Sequence, residues 1–108
     1  LQDSGAGGTV AVVAKDSGKT FINKTTATTY NLPAVAAGLF YQFFVGSSTE
    51  LKIEPYGSDK ILVKTSATGD YYKSSTLGSS LKIRGITASG ASTGKWVVES
   101  EIGTWTEQ

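Results

Sequence analysis

The sequence has no cysteine, no histidine and no methionine, only two prolines, and almost no net charge, since ten Lys and Arg against nine Asp and Glu leave +1. Without cysteine there is no disulfide framework and no thiol nucleophile. Without histidine as well, the usual zinc and haem ligand sets and the near-neutral general base are missing. The balance of charge gives no electrostatic footprint for a phosphate backbone or an anionic lipid surface, which points away from nucleic acid and membranes as partners. Long hydrophobic runs are lacking too. The longest apolar stretches, Thr9 to Ala14 and Leu39 to Val45, fall far short of the ~20 residues that a membrane-crossing helix needs. The chain opens Leu1-Gln2-Asp3-Ser4-Gly5 without an initiator Met, which reads as a trimmed or cut chain from which any targeting segment is already gone.

What is present is a β composition. The 108 residues include 14 Thr, 13 Ser, 13 Gly and 11 aromatics, enough for one domain that buries roughly two-thirds of its unfolded surface. Thr suits a half-buried pleated surface, while Ser and Gly populate tight turns. Helical periodicity is nearly absent and apolar/polar alternation recurs between turn clusters, so the expected fold is all-β, a compact antiparallel sandwich or barrel of about nine short strands. Residues 10–108 form the single domain in this reading. Residues 1–9, with three Gly and no apolar period, form a flexible N-terminal arm.

Individual segments sharpen the expectation. Glu50-Leu51-Lys52-Ile53-Glu54 and Ser80-Leu81-Lys82-Ile83-Arg84 alternate strictly, so each strand has one wet face. Leu39-Phe40-Tyr41-Gln42-Phe43-Phe44-Val45 is apolar on both faces, with Phe40 and Phe44 opposite Leu39, Tyr41, Phe43 and Val45. Such a strand is either central and covered on both sides, or it offers Phe40 and Phe44 to a subunit interface. Asp16-Ser17-Gly18-Lys19 and Ala67-Thr68-Gly69-Asp70 read as turns with a positive-φ glycine. Pro33 and Gly38 bracket a possible turn of helix, and Gly85 to Gly94 reads as a mobile surface loop.

A search for chemistry finds nothing organised. Ser79 and Lys82 lie at an odd separation that sends them to opposite faces of a strand. Gly90-Ala91-Ser92-Thr93-Gly94 lacks the strand-to-helix elbow and the histidine that its motif requires, and Gly18-Lys19-Thr20 has no phosphate-loop glycine at Val13. The expectation is therefore no catalytic residues, no cofactor and no metal; Glu54, Asp59 and Asp70 are too scattered to read as a cation cluster. Tyr56, Tyr71, Tyr72, Trp96 and Trp105 are weighed as a glycan platform, with Trp96 assigned to the core because it shares a face with Val98. No small-molecule ligand is expected.

The runs Asp16-Ser17-Gly18-Lys19-Thr20-Phe21-Ile22-Asn23, Tyr30-Asn31-Leu32-Pro33-Ala34, Ala36-Ala37-Gly38-Leu39-Phe40-Tyr41-Gln42-Phe43 and Gly57-Ser58-Asp59-Lys60-Ile61 resemble a small β module of tailed-bacteriophage virion proteins. So do Leu77-Gly78-Ser79-Ser80-Leu81-Lys82-Ile83, Gly94-Lys95-Trp96-Val97-Val98 and Ile102-Gly103-Thr104-Trp105-Thr106, and together the runs cover nearly all the chain from Val10 onward. The resemblance implies a non-catalytic structural protein. Its form would be a decoration or cement protein on the capsid exterior, binding the major capsid protein and stabilising the shell as a homotrimer. The alternative it implies is a structural or receptor- or glycan-binding domain of a tail fibre or spike. On the decoration reading, Leu1, Gln2 and Asp3 of the arm and the basic strip Lys15, Lys19 and Lys24 are the expected capsid contacts, and Phe40 and Phe44 the expected subunit interface.

Overall fold

Alternation of apolar and polar residues does become strands, and the chain lays them down by crossing repeatedly between two sheets. The computed structural model describes residues 2–3, 8–23, 27–56, 59–63, 66–69, 71–87 and 94–107. Among these are twelve strands: β1 (Gln2–Asp3), β2 (Gly8–Ala11), β3 (Thr20–Asn23), β4 (Thr28–Asn31), β5 (Phe40–Val45), β6 (Leu51–Glu54), β7 (Lys60–Val63), β8 (Ser66–Gly69), β9 (Tyr72–Ser74), β10 (Ser80–Thr87), β11 (Lys95–Ile102) and β12 (Thr106–Glu107). The seven-stranded sheet has the order β1-β3-β5-β10-β11-β7-β8 and the five-stranded sheet β12-β9-β6-β4-β2. The all-β two-sheet architecture is as expected.

The direction of pairing is not. From β1 to β7 every connection passes to the facing sheet, so no hairpin forms there and next-but-one strands become neighbours. β1, β3 and β5 are parallel, and so are β2, β4 and β6. Parallel partners lie one coil apart in sequence: Gln2 with Phe21, Phe21 with Phe43, Val10 with Tyr30, Tyr30 with Ile53. A parallel pair needs a long crossover, and here the crossover is a strand of the opposite sheet. Antiparallel pairing is confined to β10 with β5 and β11, β7 with β8, and β9 with β6 and β12. The expected antiparallel sandwich is therefore a mixed one.

Other expectations also need correction. The flexible arm over 1–9 is tied down at Gln2–Asp3, which pairs with Phe21 and Ile22, and at Gly8, where β2 begins; Leu1 lies outside the described residues. No helix forms at Pro33–Gly38: Val35 is buried and donates its N–H to Asp59 Oδ2 at 3.0 Å, and the chain turns at Ala37–Gly38, where Leu39 N–H donates to the Ala36 carbonyl at 3.2 Å. The single helical turn is a 3-10 turn at Ala14–Asp16. The turn expected at 67–70 is strand β8 as far as Gly69. The loop expected over Gly85 to Gly94 is strand through Thr87, and residues 88–93 lie outside the described set. Gly85 and Gly94 are both buried. A Cβ would stand 2.4 Å from the Ala36 carbonyl oxygen at Gly85, and 2.2 Å from Asp59 Oδ1 at Gly94, so these glycines permit close packing of backbone.

The core lies between the sheets. Tyr41, Phe43 and Val45 of β5, Leu81 and Ile83 of β10 and Trp96 of β11 point inward against Tyr30 of β4 and Leu51 and Ile53 of β6. The Tyr30 ring meets Phe21 at 5.4 Å and Phe43 at 5.3 Å, while Phe21 and Phe43 stack at 5.6 Å. Trp96 is fully buried as expected and packs on Tyr41 at 5.7 Å. Trp105 closes the far end, stacked on Tyr72, with its Nε1–H donated to the Ser80 and Ile102 carbonyls at 3.1 Å.

One buried polar side chain organises the turn after β5. Asn23 is fully buried; its Oδ1 accepts from Gly46 N–H at 2.9 Å, and its Nδ2 donates to the Thr49 carbonyl at 3.0 Å and to Thr49 Oγ1 at 3.3 Å. Asn23→Ala strands a backbone donor and acceptor away from water, so urea unfolding is expected to show a loss of roughly 2–4 kcal/mol; a loss below about 0.5 kcal/mol would remove Asn23 from this role. Gly94→Ala forces a methyl onto Asp59 and is expected to cost about 1–3 kcal/mol in the same measurement, whereas an unchanged midpoint would contradict the contact.

Candidate functional site

The two outer faces of the sandwich differ in chemistry. On the five-stranded sheet, Thr9 and Ala11 (β2), Thr29 and Asn31 (β4), Lys52 and Glu54 (β6) and Lys73 (β9) point outward and make an ordinary polar surface. On the seven-stranded sheet the register places Ile22 (β3) beside Phe44 (β5), Phe44 beside Ser80 (β10), and Ser80 beside Ile102 (β11). Phe44 is 39% and Ile102 61% exposed, while Ser80 between them is buried. This row crosses four strands, with half-buried Ile22 and exposed Phe44 on one side of buried Ser80 and exposed Ile102 on the other.

Next to that row lies a charged cluster. Arg84 and Lys82, both on β10, hold their cationic groups 5.0 and 5.5 Å from the centroid of the Phe40 ring, and a Cβ at Gly18 would stand 3.5 Å from the ring's Cζ. Arg84 Nε bonds Glu99 Oε2 at 2.6 Å, and Lys82 Nζ stands 4.0 Å from Glu99 Oε1. The hydrogen bond from Arg84 holds the Glu99 carboxyl below the ordinary 4.5, partial burial opposing it. Phe40 is thus largely engaged within the chain, and of the two phenylalanines expected at an interface only Phe44 stands free.

The expected capsid contacts fall as follows. Lys15 is exposed on the 3-10 turn; Lys19 is exposed and bridges Asp16 Oδ1 at 3.0 Å. That hydrogen bond, helped by Val13 N–H, draws the Asp16 carboxyl below 3.8. Lys24 and Leu1 lie outside the described residues, and Gln2 and Asp3 are described as backbone of β1 only. β1 and β2 are the edges of the two sheets and belong to the same outermost coil. Gly8 N–H donates to the carbonyl of Ala27, the residue before β4, at 3.1 Å, and Val12 N–H to that of Asn31, the last residue of β4, at 2.9 Å. By the alternation of a parallel ladder, the amides of Thr9 and Ala11 then point away from the sheet.

Of the five aromatics weighed as a glycan platform, Tyr72, Trp96 and Trp105 are buried, and Tyr72 donates its hydroxyl to Glu101. Tyr71 is half-buried with Lys52 Nζ 4.4 Å above its ring. Tyr56 alone is open, at 58% exposure. Asp59 is buried and accepts from Val35 N–H, a structural tie rather than part of a carboxylate cluster with Glu54. Ser79 is also buried and its Oγ accepts from Thr104 N–H at 3.3 Å. Ile22, Ser80 and Ile102 were not distinguishable by sequence reasoning, because only cross-strand register puts them beside Phe44.

Comparison with known proteins adds no family: no family model matches the chain, and no curated protein matches it significantly.

Because folding lowers the Asp16 and Glu99 carboxyls, the unfolded chain binds more protons in acid. Their stabilisation is complete above the ordinary values and is lost as pH falls through the lower folded values. Stability is expected to decline in that acid window, Glu99→Gln removing its share and high salt weakening both exposed pairs. Carboxyl NMR titration of the folded protein checks it; a Glu99 midpoint at or above 4.5 would contradict the Arg84 contact.

Proposed function

We propose that this chain is a non-catalytic virion structural protein of a tailed bacteriophage, a capsid decoration protein that binds the outer shell as a trimer and ties neighbouring capsid subunits together. The observation that carries the binding role is the exposure of Phe44 and Ile102 on the outer face of the seven-stranded sheet. Large apolar side chains exposed on a domain this small suit contact with another protein, and the adjoining Lys82-Arg84-Glu99 cluster supplies a polar rim. The phage assignment rests on the resemblance of the quoted sequence runs.

Two features support the division of labour. These apolar side chains suit contact between copies around a closed three-fold axis, where a patch of each copy packs on a different surface of the next. The outward main-chain groups of Thr9 and Ala11 suit strand addition to a partner sheet, in which hydrogen bonds supply affinity with little demand on sequence. Three such edges in one assembly convert weak individual contacts into firm attachment. Catalysis is disfavoured by residue chemistry: the sequence lacks histidine and cysteine, and Ser79 is buried in a structural hydrogen bond.

Sedimentation at micromolar concentration is expected to give a trimer, and co-sedimentation with undecorated capsids from the same genome is expected to show saturable binding. Phe44→Lys with Ile102→Lys is expected to yield a folded monomer, checked by sedimentation and by a retained cooperative urea transition whose midpoint no longer depends on protein concentration. A wild-type monomer that ignores shells at every salt concentration would sink the decoration role.

A further inference from the structure

We propose that the groove at the ends of β4 and β6 is a saccharide site that takes one neutral pyranose ring. The groove measures about 240 Å³ and is lined by Asn31, Leu32, Glu54, Pro55 and Tyr56. That is smaller than the ~300–1,000 Å³ of sites for drug-sized ligands, so it suits a single ring held against a wall.

Its residues divide into a floor, two polar arms and a platform. Leu32 and Pro55 are buried and form the floor, joined by the Leu32 N–H to Glu54 carbonyl bond at 2.9 Å. Asn31 and Glu54 are register partners on neighbouring parallel strands, both exposed, so their side chains stand one strand spacing apart, about 4.8 Å. Tyr56 follows Pro55, whose ring fixes the backbone, and its carbonyl accepts from Asp59 N–H at 2.9 Å. Asp59 is in turn anchored to Val35. The exposed phenol ring therefore stands on a braced turn.

Among the described residues, none of the Asn31, Glu54 and Tyr56 side chains has a hydrogen-bonding or ionic partner. The ligand that satisfies all three is selected by their chemistry. A sugar hydroxyl both gives and takes a hydrogen bond, so one of a vicinal pair can donate to the Glu54 carboxylate while its neighbour accepts from the Asn31 amide. The C–H face of the ring lies on the apolar face of Tyr56. An ammonium group would use Glu54 and the ring but leave the Asn31 donors idle, and an anion would meet the Glu54 charge.

This site is on the five-stranded sheet, away from the apolar row, and does not depend on the decoration role. Amide NMR titration of the whole chain with glucose, galactose and N-acetylglucosamine is expected to give saturable shifts confined to residues 31–33 and 53–56, with a dissociation constant on the order of 1 mM for the preferred sugar. Tyr56→Ala and Asn31→Ala are each expected to weaken it about tenfold or more at an unchanged urea midpoint, leaving trimer formation and shell binding intact. The proposal is overturned by the absence of saturable shifts with all three sugars, by shifts located elsewhere, by binding that survives Tyr56→Ala, or by a response to tetramethylammonium alone.

Discussion

The structure depends on one side chain from each coil reaching across the sandwich. Tyr30, on an inward position of β4, packs its ring against both Phe21 and Phe43, which stack on one another on two parallel strands of the facing sheet. Tilted aromatic contacts of this kind contribute about 0.5–1.5 kcal/mol each beyond their burial, and here they also bind successive coils to one another. A chain that zigzags between sheets has no hairpin turn to set register. Interdigitating rings perform that task, and Asn23 performs it again where β5 ends and the chain turns toward β6.

The zigzag also explains why the two edges at the N-terminal side are available. Each new coil of a parallel stack is templated by the previous one, so the outermost coil always presents unpaired main chain on its far side. In this protein that coil is β1 and β2. At the opposite side the two sheets end in antiparallel pairs, β7 with β8 and β9 with β12.

Much of this was legible in the residues. The alternation in Leu51-Lys52-Ile53-Glu54 and in Leu81-Lys82-Ile83-Arg84 shows directly as buried and wet faces, Trp96 is core, and Gly18 adopts the positive φ its turn demanded. Parallel pairing was not legible, because alternation is the same whichever way the neighbour runs. Gly85 and Gly94 looked like loop glycines because a glycine that permits backbone packing has the same letter as one that permits a turn. The close approach that needs them, to Ala36 and Asp59, comes from residues far away in sequence. Asn23 and the groove at Asn31 and Glu54 were hidden for the same reason, since each is defined by a register between strands.

A sandwich separates its two outer faces by the thickness of its core and sheets, with side-chain layers about 10 Å deep between the sheets. The apolar row on one face and the polar groove on the other therefore share no residue, and a ligand on one does not displace a partner on the other. The strands that connect them are the same strands read on opposite sides: β5 turns Tyr41, Phe43 and Val45 to the core and Phe40 and Phe44 outward, while β4 and β6 turn Tyr30 and Ile53 inward and Asn31 and Glu54 outward. Outward substitutions on these strands leave the inward set untouched, because successive side chains of a strand never share a face. The fold thus allows either surface to be remodelled for a new partner while the aromatic cluster that fixes register stays in place.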